Sequence, residues 1–401
     1  MRFVKDGLDI SKIDDPVFAI SRMASADDSP KTVNATIGSL FDEDGKIVAF
    51  KSFYDNFDKI DDRLKAKYAD SPEGNKEYKE AVEKHLLEGR IKIPHDIIAT
   101  AGGSGAVSLC LKDFLKEGES VLAPDVAWAS YKTMAKEYGL DYQTYDVNEI
   151  EDMLSKMHEI ATRQDHILVI INSPCHNPTG ISYSKEEWRM IIDTASSLDK
   201  EVVILDDVAY IDYSYDLTKA HSHFDLFDEI ADNVLVTIAF SISKTMTAYG
   251  LRLGALITIH KDEEVIKETH NALVRSCRNI WSNTNNAAMI AFSKTIADGA
   301  FYKEKAEAIK LLHERAMIFL DEANEVDLKL YRYDEGFFIT VKMDDDKMRD
   351  EVFKGLIEEH IYTVKVYHGI RIAICSIPKA KLQGLASKIK KVIDNRQNYN
   401  Q

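Results

Sequence analysis

Val234-Leu-Val-Thr-Ile-Ala-Phe240 runs directly into Ser241-Ile242-Ser243-Lys244, and Arg252 follows eight residues later. An unbroken apolar run that ends in a polar loop reads as a strand buried on both faces, the kind found in parallel sheets. Three more stretches share this form. Ile167-Leu-Val-Ile-Ile171 leads into Asn172-Ser-Pro-Cys-His-Asn177-Pro-Thr-Gly180, and Val202-Val-Ile-Leu205 leads into Asp206-Asp207-Val-Ala-Tyr210. Ile97-Ile-Ala-Thr100 opens onto Gly102-Gly103-Ser104-Gly105-Ala106 and a helical stretch, Val107 to Leu115. In open α/β sheets ligands collect beyond the carboxyl ends of the strands. The four polar loops are therefore expected to meet in one place.

The surrounding pattern gives the fold class. From about residue 51 to 296, apolar strands alternate with amphipathic segments such as Lys185 to Leu198, which predicts an α/β fold with helices on both faces of a mostly parallel sheet. Helical spacing of Ile309, Leu312, Ala316, Phe319 and Leu320 predicts a long helix from Ala306 to Val326. Beyond it, Gly336-Phe-Phe-Ile-Thr-Val341 and Ile370-Arg-Ile-Ala-Ile374 read as strands of a smaller α+β domain. Apolar residues at 382, 385, 389, 392 and 393 predict one helix from Ala380 to Ile393 packed on that unit.

The loops carry coherent chemistry. Glycines at 102, 103 and 105 let backbone N–H groups approach an anion at a helix start, where the dipole favours negative charge. Ser104 adds a hydroxyl there, and Arg252 offers a planar fork for phosphate oxygens. The Lys244 amine can condense with an aldehyde, and Asp207 can pair with a protonated ring nitrogen. A lysine bonded to an aldehyde cofactor, with a carboxylate on the pyridine nitrogen, is the arrangement that pyridoxal-phosphate sites require. Each piece alone has a plainer reading: Asn177-Pro-Thr-Gly180 as a turn, Asp207 as a helix cap, Trp128 as core, and Arg371 as a surface ion pair. The order and spacing of all of them together favour a site.

In that order the chain resembles the class I, aspartate aminotransferase-like, pyridoxal-phosphate-dependent aminotransferases of fold type I. The matching residues are Asn177-Pro-Thr-Gly180, Asp207-x-x-Tyr210, Ser241-x-Ser243-Lys244, Arg252-x-Gly254, Gly102-Gly-Ser-Gly-Ala106, Trp128 after Pro124, and Arg371 in Gly369-Ile-Arg-Ile-Ala. Val33-Asn-Ala-Thr-Ile-Gly38 resembles the opening strand and loop of that family. The resemblance implies that Lys244 carries the covalent link to the cofactor and then moves a proton. It implies that Asp207 contacts the ring nitrogen, Asn177 and Tyr210 the phenolic oxygen, and Trp128 the ring face. Gly103, Ser104, Ser241, Ser243 and Arg252 would hold the phosphate. Arg371 would take the substrate α-carboxylate with help from Asn177 and Trp128, beside the backbone of Gly38. Tyr68 resembles the tyrosine that reaches from one subunit to the phosphate of the other, although it stands one residue further from Gly74 than the family spacing. The resemblance also implies a homodimer, a large domain over 51–296, and a small domain in which the arm 1–50 joins 297–401.

The expected reaction moves an α-amino group from an amino acid to a 2-oxo acid. Aspartate-specific members bring a second arginine from the partner subunit after a Tyr-Ser-Asn-Pro-Pro-like stretch. Here the segment reads Trp281-Ser-Asn-Thr-Asn-Asn-Ala-Ala-Met-Ile290 and ends without an arginine. The expectation is a preference for aromatic or other apolar donors, with Arg275, Arg278 or Lys31 as the cations that would have to substitute for the missing one. Aspartate transamination, or a lyase or decarboxylase reaction on the same fold, are the alternatives. A ligand-sensing regulator on this fold would need a DNA-binding module, for which no basic helix is visible.

Composition narrows the partners. The formal net charge of −16 opposes binding to nucleic acid or to an anionic membrane surface. The four cysteines, Cys110, Cys175, Cys277 and Cys375, lack metal-ligand spacing and suit a reduced, cytoplasmic protein. The amino terminus carries charge rather than an apolar signal core, and no run approaches the ~20 apolar residues of a membrane span.

Overall fold

The computed structural model describes residues 3–4 and 16–398. In chain order its strands are β1 (Val33–Asn34), β2 (His95–Thr100), β3 (Ser120–Pro124), β4 (Asp141–Tyr145), β5 (His166–Ile171), β6 (Glu201–Asp207), β7 (Val234–Ser241), β8 (Gly254–Ile259), β9 (Phe338–Lys342), β10 (Ile361–Tyr362), β11 (Val364–Val366) and β12 (Gly369–Ala373). Seven of them form one sheet in the order β2-β8-β7-β6-β5-β3-β4. The pairs from β7 through β4 are parallel, and β8 runs antiparallel to both its neighbours.

The apolar runs read from the sequence are the middle of this sheet. Every residue of β7 is buried, as is all of β5 after His166 and all of β6 after Glu201. Strands covered on both faces have no use for polar alternation, which is why these runs are continuous. Helices cover the two faces, among them Gly102–Phe114 and Lys185–Ser197. The second begins with a capping box, Ser184 and Glu187 each satisfying a backbone N–H of the other's residue.

The register lines up the ends that matter. Thr100 of β2 pairs with Gly254 of β8, and Gly254 pairs with Ser241 of β7. The exits of β2 and β7 therefore flank the entry of β8 at one level. β6 ends beside them, Asp207 opposite Ala239.

The remaining strands form separate small sheets: β1 pairs with β10 in parallel, and β11-β12-β9 is antiparallel. The long helix is Phe301–Glu325, starting earlier than the periodicity suggested. The helix Gly102–Phe114 also starts earlier than expected, at the glycines themselves. The single helix expected from Ala380 to Ile393 is two, Lys379–Leu382 and Leu385–Asn398. Gly384 between them has φ +76°, a left-handed conformation that stops a helix.

Candidate active site

The strand exits open into a cavity of about 430 Å³. Of the residues singled out in the sequence, Gly38, Gly103, Ser104, Trp128, Asn177, Asp207, Tyr210, Ser241, Ser243, Lys244, Arg252 and Arg371 all line it. Tyr68 does not; its side chain is 79% exposed, outside the cavity.

Lys244 sits on a single helical turn, Ile242–Thr245, at the end of β7. Its Nζ donates to the Gly38 carbonyl at 2.7 Å and lies 5.2 Å and 4.9 Å from the ring centres of Tyr210 and Tyr249. Burial, reinforced by the Arg371 and Arg252 guanidiniums, pulls the amine down to about 8. A lysine so placed is partly neutral near physiological pH and thus a nucleophile.

Asp207 and Asp206 end β6 side by side and face opposite ways, as successive residues of a strand must. Asp207 Oδ2 accepts from Tyr131 Oη at 2.6 Å, and Oδ1 accepts from Ala209 N–H at 3.1 Å. Burial pushes its carboxyl up to about 6, opposed by those two hydrogen bonds. Asp206 points away from the cavity, its Oδ2 2.9 Å from His223 Nε2, with His223 stacked on Trp188 at 4.5 Å. Burial pushes the Asp206 carboxyl up and the His223 imidazole down to about 3.

At the other end of the cavity the chain makes an anion cradle. Ser104 lies in the first turn of Gly102–Phe114, and Ser241, Ser243 and Arg252 face it. Arg252 Nη1 donates to Ser243 Oγ at 2.8 Å. A Cβ on Gly102, at φ +74°, would stand 2.6 Å from Arg252 Nη2, so a side chain there would fill the cradle. Hydroxyls, a guanidinium and helix N–H groups, together with a carboxylate and an amine in the same cavity, fit the phosphate, ring nitrogen and aldehyde of pyridoxal phosphate.

Arg371 of β12 reaches the cavity from the opposite wall. Nη2 donates to the Thr36 carbonyl at 2.6 Å and Nη1 to Asn177 Oδ1 at 3.1 Å, and the guanidinium lies 4.4 Å from the Phe338 ring centre. The loop that carries Asn177 is fixed at both ends. Asn172 Oδ1 accepts from Asn177 N–H at 2.8 Å, while the Gly180 carbonyl accepts from the N–H groups of Asp334 and Glu335 at 3.0 Å each. Trp128 packs edge-on against Tyr131 at 5.4 Å.

Several lining residues escaped sequence reasoning: Tyr131, Asn172, Tyr249, Phe338, Ile37 and, from the helix Pro16–Ser25, Val17 and Phe18. Tyr131 had a readable signal, one helical turn after Trp128. Asn172 had another, as the first polar residue past β5, where its Nδ2 donates to the Asp207 carbonyl at 2.7 Å. Within the one chain, none of Lys31, Arg275 and Arg278 lines the cavity.

Comparison with known proteins bears on the family and the fold. The family model described as aminotransferase class I and II matches residues 36–389. The chain is 24% identical over 300 residues to the aspartate aminotransferase of Pseudomonas aeruginosa, 69% of this chain and 72% of that one. It is 30% identical over 206 residues to the aromatic-amino-acid aminotransferase of the same organism, 49% of each. The crystal structure of an aminotransferase from Anaerococcus prevotii superposes with a TM-score of 0.93 at 31% identity, covering 98% of this chain and 99% of that chain.

Proposed function

We propose a donor class for this chain, which belongs to the class I and II aminotransferases and is a pyridoxal-phosphate-dependent transaminase. The proposed reaction transfers the α-amino group of an aromatic or other apolar amino acid to a 2-oxo acid. When bound, pyridoxal phosphate supplies the electron sink that lets the substrate α-carbon give up its proton.

The protein's side chains take the remaining tasks. Lys244 Nζ would hold the cofactor aldehyde and, as a free amine, would carry the proton between the substrate α-carbon and the cofactor's aldehyde carbon. Asp207, ionised against Tyr131 and the Ala209 N–H, keeps the ring nitrogen protonated. Tyr210 and Asn177 serve the phenolic oxygen, and Trp128 covers the ring face. Gly103, Ser104, Ser241, Ser243 and Arg252 hold the phosphate, with Tyr68 arriving from a second copy. Arg371 binds the α-carboxylate, oriented by Asn177 beside the Gly38 backbone. The substrate then lies between the unit of residues 51–296 and the smaller unit of 1–50 and 297–401.

The donor class rests on one observation. Within one chain, and among the described residues, the cations lining the cavity are Lys244, Arg252 and Arg371, each assigned here to the cofactor or the α-carboxylate. The walls left for a substrate side chain include Ile37, Phe338, Tyr131 and Trp128. A second carboxylate buried there without a partner costs on the order of several kcal/mol. A competing reading as an aspartate aminotransferase draws on the names of several relatives. Specificity constants for aspartate, phenylalanine, tyrosine, leucine and methionine, with 2-oxoglutarate as acceptor, decide between them. Apolar donors should lead aspartate by about tenfold or more, the discrimination that one unpaired buried charge allows; a comparable lead for aspartate sinks the proposal. Four buried, unpaired cysteines are consistent with a reducing, cytoplasmic setting. No helix among the described residues is long and apolar enough to cross a membrane.

A further inference from the structure

Some of the groups that hold the Lys244 turn in place lie behind it, outside the cavity. The turn Ile242–Thr245 spans four residues and closes with the Met246 N–H on the Ile242 carbonyl at 3.0 Å. One helical turn fixes several dihedrals for a single hydrogen bond, so its orientation has to be set by its surroundings. Two contacts from outside the cavity contribute to this. Tyr213 Oη donates to the Lys244 carbonyl at 3.2 Å, and Thr245 Oγ1 donates to Asp212 Oδ2 at 2.6 Å.

Asp212 is the centre of a buried polar cluster. Lys305 Nζ donates to its Oδ1 at 2.5 Å, and His85 Nε2 lies 3.2 Å from its Oδ2. Asp212 is 2% exposed and Lys305 4%. The Lys305 ammonium rides over the rings of Phe301 and Tyr302, and His85 is walled by Phe240, Phe292 and Phe301. Apolar side chains of similar volume often serve stability as well as a buried ion pair does. A buried pair does something they cannot: charge-assisted hydrogen bonds fix where each partner stands. Here the fixed partners adjoin the site. Asp212 lies on the turn Ile211–Tyr213, directly after Tyr210, and Thr245 directly follows Lys244.

We propose that Asp212, held by Lys305, is a positioning residue for the transamination site: through Thr245 it orients the turn that carries Lys244, and through its own turn it orients Tyr210. One carboxylate thereby sets the spacing between the two. The inference rests on the reading of Lys244 as the lysine that bonds the cofactor.

Two substitutions at Thr245 separate hydroxyl from shape. Thr245→Ser keeps the donor and Thr245→Val keeps the branched outline. Three quantities are read: kcat and KM, the visible circular dichroism per bound cofactor, and the rate at which cofactor-free protein captures pyridoxal phosphate. Thr245→Val should lower kcat about tenfold or more with KM within about twofold, as a misplaced reacting group does. It should also alter the dichroism and slow capture. Thr245→Ser should resemble the parent in all three. Parent-like values for Thr245→Val overturn the proposal, and so does a Thr245→Ser protein as impaired as Thr245→Val. Should Thr245→Val not fold, Asp212→Asn/Lys305→Met removes the pair without stranding a charge. It should show the same altered dichroism and slow capture; parent-like values there overturn the proposal too. Lys244→Ala is measured alongside. A visible band that survives Lys244→Ala defeats the reading of Lys244 itself. A band that depends on Lys244 but ignores both Thr245→Val and the double substitution defeats only the positioning role.

Discussion

Asp206 and Asp207 share a strand end, a chemistry and near-complete burial, yet the backbone sends them to different sides of the sheet. Asp207→Ala should cost at least about a hundredfold in kcat with the cofactor still bound, since the group proposed to sustain the electron sink is gone. Asp206→Ala should instead lower stability by about 1–3 kcal/mol, because His223 loses its buried partner, while turnover per folded molecule stays near that of the parent. Steady-state kinetics and urea unfolding of both proteins check this; equal kinetic losses would undo the assignment. A second expectation concerns Lys244. Its amine is pulled from 10.5 down to about 8, so the neutral form needed to attack an aldehyde appears as pH rises through that lower value. Capture of pyridoxal phosphate by cofactor-free protein should therefore rise with pH to a midpoint near about 8, and a midpoint near the ordinary lysine value would show that burial does not control the amine. At this scale the sequence was legible where residues follow a strand end at fixed spacing, as Asp207, Tyr210 and Lys244 do. It was silent on Tyr131 holding Asp207, because that bond joins the helix Ser130–Glu137 to the exit of β6 and has no period in the chain.

Whole elements were read with similar success and failed where one backbone conformation decides. The buried strands of the large sheet declared themselves by unbroken apolar runs. The carboxyl-terminal helix did not declare its break: Leu382, Leu385 and Ile389 keep helical spacing across it, while an extended Gln383 and a left-handed Gly384 separate the two segments. Gly254 is a subtler case. It opens β8 between the exits of β2 and β7, where a Cβ would stand 2.5 Å from the Phe240 carbonyl oxygen, 2.6 Å from Gly102 C and 2.9 Å from Gly103 N. All three are backbone atoms, so no side chain can swing aside. Gly254→Ala is expected to push the Gly102–Gly103 turn away from β8 and spoil the anion cradle. Overpacking of this kind costs about 1–3 kcal/mol of stability. The affinity for pyridoxal phosphate, measured by titrating the cofactor-free protein, should fall about tenfold or more if that strain is taken up by the cradle. An unchanged affinity would mean that the sheet, rather than the turn, absorbs the methyl group.

At the scale of the whole molecule, one residue of the resemblance stands apart from the rest. Tyr68 is 79% exposed, and Leu64 and Ile280 are also exposed, at 44% and 50%. The segment is nonetheless well anchored: Ala69 N–H donates to Asn283 Oδ1 at 3.0 Å, and Asn286 Nδ2 donates to the Leu64 carbonyl at 2.9 Å. A firmly based aromatic ring left in water suits a residue that completes its contacts on another copy of the chain. The proposed homodimer then makes each site from two chains, Lys244 supplied by one and Tyr68 by its partner. Lys244→Ala chains should be inactive, and Tyr68→Phe chains should be impaired in cofactor binding. In a mixed dimer both lesions fall in one site, and the other site has the intact Lys244 of one chain and the intact Tyr68 of its partner. At cofactor concentrations low enough to leave Tyr68→Phe dimers essentially inactive, co-expression in equal amounts should therefore restore about a quarter of the parent activity, since half the dimers formed at random are mixed and each carries one sound site. Were Tyr68 to act within its own chain, the mixed dimer would separate nothing: one site would lack Lys244 and the other would lack Tyr68. Activity of the mixture would then stay at or below that of the Tyr68→Phe protein alone, and the pairing of two chains at each site would have to be abandoned.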